Sequence, residues 1–360
     1  MKNSIRDGTP YLLRNSLGDN MKCRFSIVMP AYNAEKYIEE MIQSIVNQTY
    51  KDWHLVIIDD GSTDETSRIC DKYICSQIEV HHLSNSGQVH ARCEGIGMAQ
   101  GEYTLVVDAD DYLKPECLET INRITNVEQY DMVMFPYMCC NEKLQEQGEI
   151  AALPNRVGKM TQAEILKWII DTCNHGLVNK AIKTDIIRES IRECIDRRVS
   201  VNGDYALIIP IICRIRNGYF VNETLYNYRI YNTSVSHNYS FSHVIDTDYV
   251  TDFVIQTLKK YELFDEEIEN VTYTSYLRMI IRRLKQMVLF NRITKKQYEE
   301  LKTQNVFVAS KKYDNMCNLG KDEYKVLNFF RNKPYGYLKL LRVELLCDSV
   351  MKRIMQQLEF

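Results

Sequence analysis

Three stretches decide the fold: residues 25–33 read FSIVMPAYN, residues 55–66 read LVIIDDGSTDET and residues 103–111 read YTLVVDADD. Each begins with a short, continuous apolar run of strand length and ends in polar residues. A helical pattern separates the first two runs, since apolar residues recur every three or four positions within residues 34–48. Strands that are apolar on both faces require packed helices on both faces of the sheet to keep these side chains from water. We therefore predict an α/β fold with a mostly parallel sheet and helices on both of its faces.

Local signals also predict where two helices begin. Asn33 is the natural N-cap of the first helix, and Ser62 with Glu65 has the spacing of a capping box that begins the second. Further along, a third strand is predicted over residues 78–82 and another over residues 131–137.

The pattern changes along the chain and predicts its domain organisation. Residues 1–20 are polar and aperiodic, and they are expected to form a tail. Residues 21–240 are predicted to form the α/β domain, and residues 241–360 a smaller, mainly helical domain.

Composition excludes several classes of protein. The 360 residues include 45 basic and 48 acidic side chains, and this net charge of −3 gives no general attraction to nucleic acid. No apolar run approaches the roughly 18 residues of a membrane-spanning helix, and the first residues lack the apolar core of a signal peptide. We expect a cytoplasmic protein whose 12 cysteines are reduced and mostly buried.

The polar residues that follow the three strands predict a binding site. In parallel sheets, ligands bind in the crevice beyond the carboxyl ends of the strands. The residues at those ends are Pro30, Ala31, Tyr32 and Asn33, then Asp59 and Asp60, and then Asp108, Ala109, Asp110 and Asp111. No glycine-rich phosphate loop is present, so a nucleotide bound there needs another group to neutralise its phosphates.

The acidic cluster has two interpretations. Asp108 and Asp110 are two positions apart, so both face the same way in an extended chain and can bind one divalent ion. Carboxylate oxygens favour Mg²⁺ or Mn²⁺. In the alternative, Asp110 or Asp111 caps a helix that begins near Pro115. The turn at residues 59–62 is likewise either a simple strand-to-helix connection or a contact with a base or ribose.

Together these motifs resemble the family 2 glycosyltransferases of the GT-A fold. The resemblance rests on FSIVMPAYNAEKYIEEMIQSIVNQTY, LVIIDDGSTDET and NSGQVHARCEGIGMAQGEYTLVVDADDYL, which agree with the family in order and spacing across residues 24–113. It implies an inverting enzyme that moves a sugar from a nucleotide-sugar, most often a UDP-sugar, to a hydroxyl of a saccharide or lipid-linked acceptor. The implied setting is the synthesis of bacterial cell-surface polysaccharide or glycolipid.

The resemblance also implies roles for individual residues. Asp108, Ala109 and Asp110 would form an Asp-x-Asp motif that holds Mn²⁺ or Mg²⁺ against the donor diphosphate. The remaining donor-binding residues implied are Pro30, Ala31, Tyr32, Asn33, Asp59, Asp60 and Arg92. Cys93 departs from the family, which usually has Asn after this arginine.

The catalytic base implied by the resemblance is Asp204. It matches the Asp of a Glu-Asp pair that opens a helix in the family, whereas Gly203 replaces the Glu. The alternative role for Asp204 is that of a helix cap, which the helix dipole favours. Residues 226–229 and 234–237 resemble the closing strand and lid of the family, where Arg229 or His237 would contact the diphosphate or the metal; the alternative for His237 is a solvent-facing side chain.

Two other functions share part of this pattern, namely a sugar-nucleotide nucleotidyltransferase and a non-catalytic nucleotide-sugar binding module. The missing glycine-rich loop argues against the first. The presence of Asp108, Asp110 and Asp204 together argues against the second, because binding alone needs no base. Residues 335–353 mix basic and apolar side chains at helical spacing. This segment is either a helix that covers the core or a peripheral contact with the inner face of the plasma membrane.

Overall fold

The computed structural model describes residues 23–151, 157–193, 199–230, 240–290, 293–314 and 319–358. The chain divides into two compact units. The sheet unit comprises Met1–Leu166, Gly176–Arg198 and Leu207–Tyr231, and the helical unit comprises Lys167–His175, Val199–Ala206 and Asn232–Phe360. The predicted division into folding domains at residue 240 stays a prediction.

The described residues contain twelve strands. In chain order they are β1 Cys23–Ala31, β2 Trp53–Asp59, β3 Ile78–His82, β4 Gly101–Val106, β5 Tyr112–Leu113, β6 Met132–Met134, β7 Tyr137–Cys140, β8 Glu146–Ala151, β9 Gly158–Thr161, β10 Lys180–Lys183, β11 Asn217–Phe220 and β12 Tyr226–Arg229. Eight of them form one sheet in the order β3-β2-β1-β4-β10-β6-β11-β9, and the other four form a second sheet in the order β5-β12-β7-β8. The strand predicted over residues 131–137 is therefore two strands, β6 and β7, which belong to different sheets.

The helices that accompany the strands are α1 Ile38–Val46, α2 Thr66–Asp71, α3 Gln88–Met98, α4 Cys117–Val127, α5 Gln162–Asp171, α6 Thr184–Ile191 and α7 Gly203–Ile212. Strands β3, β2, β1 and β4 are mutually parallel, and β10 then runs antiparallel to β4. The mixed α/β fold with a large, partly parallel sheet is confirmed.

Both faces of the parallel strands are buried, as the apolar runs predicted. Ile27 and Leu55 point to one face and join a core that includes side chains of α1 and α4. Val56 and Ile58 point to the opposite face, where they meet Ala91 of α3. On that second face Gly95 allows α3 to approach β1 closely, because a Cβ at this position would lie 2.4 Å from Val28 Cγ1.

Both predicted helix starts are wrong. Asn33 adopts a left-handed conformation with φ of 48°, and α1 begins only at Ile38 after an irregular turn. Helix α2 begins at Thr66, and its N-cap residue Glu65 makes no capping hydrogen bond through its side chain. The polar side chains of these segments bond to each other across the two loops instead.

The helical unit is built around a core of its own. Its helices are α8 Phe241–Lys260, α9 Glu266–Leu289, α10 Lys295–Leu301, α11 Asn305–Ala309, α12 Lys321–Asn332 and α13 Leu338–Leu358, with short 3-10 turns at Ser310–Tyr313 and Tyr335–Tyr337. Local signals fix several starts; for example, Thr294 and Gln297 form a reciprocal capping box at α10. Tyr276, Ile280 and Leu284 lie along the buried side of α9.

Helix α13 covers this core and also exposes apolar side chains. Leu341 and Leu345 are buried, whereas Leu340 is 59% exposed and Val343 is 57% exposed. The predicted covering helix is therefore present, with an apolar surface on its outer side. Among the described residues no helix is both long enough and apolar enough to cross a bilayer.

Candidate functional site

The order of the parallel strands creates a crevice beyond β1 and β4. The chain leaves β1 toward β2 and β3 on one side, while β4 pairs with β1 on the other side. Open α/β sheets bind their ligands at such a reversal of strand order, because the loops on either side diverge there. Tyr32, which follows β1 and is 52% exposed, and Asp108, which follows β4, belong to the two loops that border this crevice.

The loops that follow β1 and β2 are joined by hydrogen bonds. The Asn33 backbone N–H donates to Ser62 Oγ at 3.0 Å, and the Asn33 side-chain oxygen accepts from the Thr63 backbone N–H at 2.8 Å. One backbone bond, from Asp60 N–H to the Ala31 carbonyl at 2.9 Å, continues the pairing of the strands. Asn33 thus shapes the turn, while the adjacent Tyr32 ring remains exposed to solvent.

Asp59 is buried at the end of β2, and both of its carboxylate oxygens accept hydrogen bonds. One carboxylate oxygen accepts from the Ser62 N–H at 3.0 Å, and the other accepts from the Ser67 hydroxyl and lies 2.8 Å from His82 Nδ1. Burial by itself raises the pKa of Asp59, but the bonds from Ser62, Ser67 and His82 outweigh it, and the pKa lies below the ordinary value. Its place in this network makes Asp59 a support of the loop.

Asp60 is also buried, and it holds the start of α3. Its Oδ1 accepts from the Ser86 backbone N–H at 2.7 Å and from the Ser86 hydroxyl at 3.2 Å, and its Oδ2 accepts from the Gly87 N–H at 2.8 Å. A carboxylate offers about four acceptor positions, so one position at Oδ2 remains for a further donor. The predicted contact between Asp60 and a nucleoside would use this remaining position.

Arg92 and Asp108 form an ion pair at the edge of the crevice. Arg92 Nη2 lies 2.7 Å from Asp108 Oδ1, and the Arg92 side chain is 2% exposed, against 22% for Asp108. The structure therefore brings together two of the predicted site residues, Arg92 of α3 and Asp108 of the loop that follows β4. The guanidinium places a positive charge beside a loop that carries three carboxyl groups, and it offsets part of their mutual repulsion.

Asp111, for which helix capping was the alternative prediction, instead forms a buried hydrogen-bond network with β12. The Tyr226 hydroxyl donates to Asp111 Oδ2 at 2.7 Å and accepts from the Asp108 backbone N–H at 3.1 Å, and the Arg229 N–H donates to Asp111 Oδ1 at 2.8 Å. Burial, with the charges of Asp110 and Asp108, raises the pKa of Asp111 well above its ordinary value. Neither Asp110 nor Asp111 caps α4, whose N-cap residue is Glu116.

Arg229 connects several segments around the acidic cluster through its guanidinium group. Its Nε donates to the Asp110 carbonyl at 2.6 Å, and its Nη2 lies 2.6 Å from Glu40 Oε2 of α1. It also donates to the Glu142 carbonyl, and its guanidinium lies over the Tyr37 ring at 4.4 Å from the centroid. The buried guanidinium is occupied by these partners, and it holds the backbone of the Asp-x-Asp segment in place.

Two carboxylates of the crevice have the donor chemistry that suits a divalent ion. Asp108 and Asp110 offer the hard oxygen ligands that Mg²⁺ and Mn²⁺ prefer. The Asp111 carboxyl group instead accepts hydrogen bonds from the Tyr226 hydroxyl and the Arg229 N–H. Within the described ranges no group of three or more His, Cys, Asp or Glu side chains is arranged to hold a metal ion. Magnesium is commonly held by one or two carboxylates plus substrate phosphates and water, and the donor set present here suits that mode.

Asp204 belongs to the helical unit and lies in the first turn of α7, half-buried. The helix begins at Gly203, so the N-terminal amides and the helix dipole favour a carboxylate at this place. His237, the other predicted ligand, lies outside the described residues. The sequence also missed Tyr226 as the centre of the acidic network, since its hydroxyl acts on residues more than a hundred positions away.

The fold and the site together define a class: an α/β protein with an acidic crevice at the carboxyl ends of parallel strands, at a reversal of strand order. Residues 26–181 match the family model described as Glycosyl transferase family 2. This part of the chain therefore matches a family 2 glycosyltransferase domain.

Individual relatives agree with this assignment. The chain is 28% identical to the glycosyltransferase GlyG of Streptococcus pneumoniae serotype 4 over 220 residues, which are 57% of this chain and 70% of the relative. It is 29% identical over 227 residues to TuaG of Bacillus subtilis strain 168, a putative teichuronic acid biosynthesis glycosyltransferase, covering 61% of this chain and 84% of the relative. The crystal structure of S. aureus TarS 1-349 in complex with UDP-GlcNAc has a similar fold, with a TM-score of 0.60 and 18% identity over 87% of this chain and 93% of that one.

Proposed function

We propose that the protein transfers a sugar from a UDP-sugar to a hydroxyl group of a saccharide or lipid-linked acceptor, with inversion at the anomeric carbon, in the synthesis of a cell-surface polysaccharide or glycolipid. The observation that carries the proposal is the Asp108–Arg92 pair beside Asp110, placed at the reversal of strand order in a family 2 glycosyltransferase domain. The UDP-GlcNAc complex of the similarly folded TarS supports a UDP-sugar as the donor class. The name of the Bacillus subtilis relative supports a polysaccharide acceptor.

The nucleoside would lie against the loops that follow β1 and β2. Tyr32 offers an exposed ring on which a base can stack, and Asp60 keeps one acceptor position for a donor on the base or ribose. Pro30, Ala31 and Asn33 fix the backbone of this wall, because β1 pairs with β2 up to Ala31 and Asn33 bonds to the loop that follows β2.

Asp108 and Asp110 would hold Mn²⁺ or Mg²⁺ together with the donor diphosphate. The bound ion would supply Lewis-acid stabilisation of the charge on the departing nucleoside diphosphate. Arg92 orients Asp108 through its 2.7 Å contact, and Arg229 fixes the Asp110 backbone through its bond to the carbonyl.

Asp204 would act as the general base. Its carboxylate accepts the proton of the acceptor hydroxyl as that oxygen bonds to the anomeric carbon. At the same time the bond from the anomeric carbon to the diphosphate oxygen breaks, and the nucleoside diphosphate leaves with the electron pair. An α-linked donor therefore gives a β-linked product.

Binding of the donor is tested by thermal shift. Wild type, Asp110→Asn and the matched control Asp185→Asn, an exposed residue of α6, are each mixed with UDP, GDP, UDP-glucose, UDP-galactose and UDP-N-acetylglucosamine, with and without Mn²⁺. We expect a UDP-sugar to stabilise wild type and the control more strongly when Mn²⁺ is present. Asp110→Asn should lose that increment. If no nucleotide stabilises wild type under either condition, the proposal is wrong.

Transfer is tested with the donor that gives the largest shift. Release of UDP with water as acceptor is measured, and proton NMR at early times shows which anomer of the free sugar forms first. Inversion predicts the β-anomer from the α-linked donor. Early appearance of the α-anomer would contradict the inverting mechanism and leave donor binding intact.

We also propose that the protein works in the cytoplasm, with α13 contacting the inner face of the membrane. The cysteines among the described residues are all free thiols, which suits a reducing compartment. Leu340 and Val343 lie on the exposed side of α13 and do not belong to the hydrophobic core. The double substitution Leu340→Ser with Val343→Ser should therefore leave the fold intact. Sedimentation with anionic liposomes should show weaker binding by this double variant than by wild type, and equal sedimentation would refute the membrane contact.

A further inference from the structure

The short segment that precedes α7 contains a residue with an uncommon backbone conformation. Asn202 adopts φ of 60°, a left-handed conformation that few residues other than glycine occupy. Its carbonyl accepts from the backbone N–H groups of Tyr205 at 3.0 Å and Ala206 at 3.3 Å. The reversal at Asn202 therefore sets the direction in which the first turn of α7 leaves, and Asp204 lies in that turn.

The Asn202 side chain is clamped between two helices of the same unit. Its Nδ2 donates to Thr247 Oγ1 of α8 at 3.0 Å, and its Oδ1 accepts from Arg283 Nη2 of α9 at 3.2 Å. The Thr247 hydroxyl donates its own hydrogen to the His243 carbonyl at 2.6 Å, so Thr247 can only accept from Asn202. Since Arg283 can only donate, both contacts require the same orientation of the Asn202 amide.

Two further contacts fix the residues on either side of Asn202. The Ser200 N–H donates to Asp246 Oδ2 of α8 at 2.8 Å. The ring of Tyr205 is fully buried and stacks on the His175 ring, with centroids 3.7 Å apart and an interplanar angle of 7°. Asp204 is half-buried and lies between two fixed neighbours, the turn at Asn202 and the buried ring of Tyr205.

We propose that Asn202 is a positioning residue, which through Thr247 and Arg283 orients the Asp204 carboxylate for proton transfer. The inference rests on the proposed function, in which Asp204 is the base. Sparsely populated backbone conformations persist where the surrounding structure fixes them, and they concentrate at functional sites. A clamp of this kind keeps the carboxylate from turning with the end of the helix, and misplacement of a catalytic group by about 1 Å can lower a rate by roughly 100-fold.

The test uses variants that remove the clamp and leave the backbone able to adopt its conformation. Asn202→Gly keeps access to positive φ and removes both side-chain bonds. Thr247→Val removes the acceptor for Asn202, and Thr247→Ser restores it. Thr251→Val is the matched control, since the equally buried Thr251 donates the same type of hydroxyl-to-carbonyl bond one turn further along α8, and that bond goes to the Thr247 carbonyl and not to Asn202.

The readout is kcat and KM for UDP release from the best UDP-sugar of the thermal-shift panel, with kcat expressed per UDP-binding site by calorimetric titration. We expect Asn202→Gly and Thr247→Val to lower kcat by about 10- to 100-fold with little change in donor KM or UDP affinity. Thr247→Ser should recover most of the rate, and Thr251→Val should stay near wild type.

Other outcomes separate the inference from the proposed function. If Asp204→Asn loses transfer while Asn202→Gly and Thr247→Val retain the wild-type kcat, the clamp does not position the base and only this inference fails. The inference also fails if Thr251→Val is as slow as Thr247→Val. If Asp204→Asn keeps the full rate, Asp204 is not the base and the inference falls with that part of the proposed function.

Discussion

Removal of the Tyr226 hydroxyl provides a sharp test of the acidic network. The Tyr226 side chain is fully buried, and its hydroxyl makes two hydrogen bonds, one to Asp111 Oδ2 at 2.7 Å and one from the Asp108 N–H at 3.1 Å. Tyr226→Phe keeps the ring and its packing. It leaves a buried carboxyl group with one donor fewer and a backbone N–H without its acceptor.

The expected loss of stability follows from these two bonds. A hydrogen bond between neutral groups contributes about 1 kcal/mol, and one to a charged group contributes roughly 1.5–3 kcal/mol. Together the two bonds predict a destabilisation of about 2–4 kcal/mol for the Tyr226→Phe variant. In a domain of this size each kcal/mol lowers Tm by about 2–4 °C, so a fall of roughly 5–15 °C is expected.

The assay is urea and thermal unfolding of purified wild type, Tyr226→Phe and the control Tyr228→Phe. Tyr228 lies two positions along the same strand, and its hydroxyl makes no hydrogen bond to the described residues. The control should therefore change stability by less than about 0.5 kcal/mol, because it removes no hydrogen bond to the described residues and keeps the ring. If Tyr226→Phe and Tyr228→Phe unfold at the same urea concentration, the hydroxyl does not hold the network together, and the role assigned to Tyr226 is wrong.

Three further predictions concern residues around the crevice. The bond to Asp59 raises the pKa of His82, and the same bond helps to lower the pKa of Asp59. His82→Asn should therefore destabilise the protein most between about pH 4 and 6.5, by at most about 1 kcal/mol, and less as pH rises through the raised His82 pKa. Urea unfolding from pH 4 to 9 measures this pH dependence. Gly95→Ala should cost about 1–3 kcal/mol in urea unfolding, because its Cβ would clash with Val28 Cγ1. Arg92→Met should cost about 2–3 kcal/mol by the same measurement, because it leaves a partly buried carboxylate unpaired.

The elements that depend on local pattern could be predicted from the sequence. The run at residues 78–82 is β3 as predicted, and the alternation of apolar runs with helical periods gave the correct layered fold. The polar residues at the strand ends were also correctly placed at one edge, because parallel pairing brings those ends together whatever the loops do. These features need only the period of the sequence and the direction of the strands.

The errors arose where polar side chains found distant partners. Asn33 has the composition of an N-cap, but its side chain accepts from Thr63, thirty positions along the chain, and α1 begins five residues later than Asn33. Capping signals assume that the side chain bonds to its own helix. When two loops lie side by side at the same sheet edge, each offers the other partners that a local rule does not include.

The role of Tyr226 shows the deeper limit. Its effect depends on the register of β12 against β5, in which Tyr226 pairs with Leu113 and so places its hydroxyl beside Asp111. A shift of that register by one residue would turn the side chain to the other face of the small sheet and leave Asp111 buried without its donor. An isolated buried carboxyl is costly, so the acidic cluster and the register of β12 stabilise each other. For this reason the Asp-x-Asp motif is recognisable in the sequence, whereas the residue that secures it becomes identifiable only once the second sheet is known.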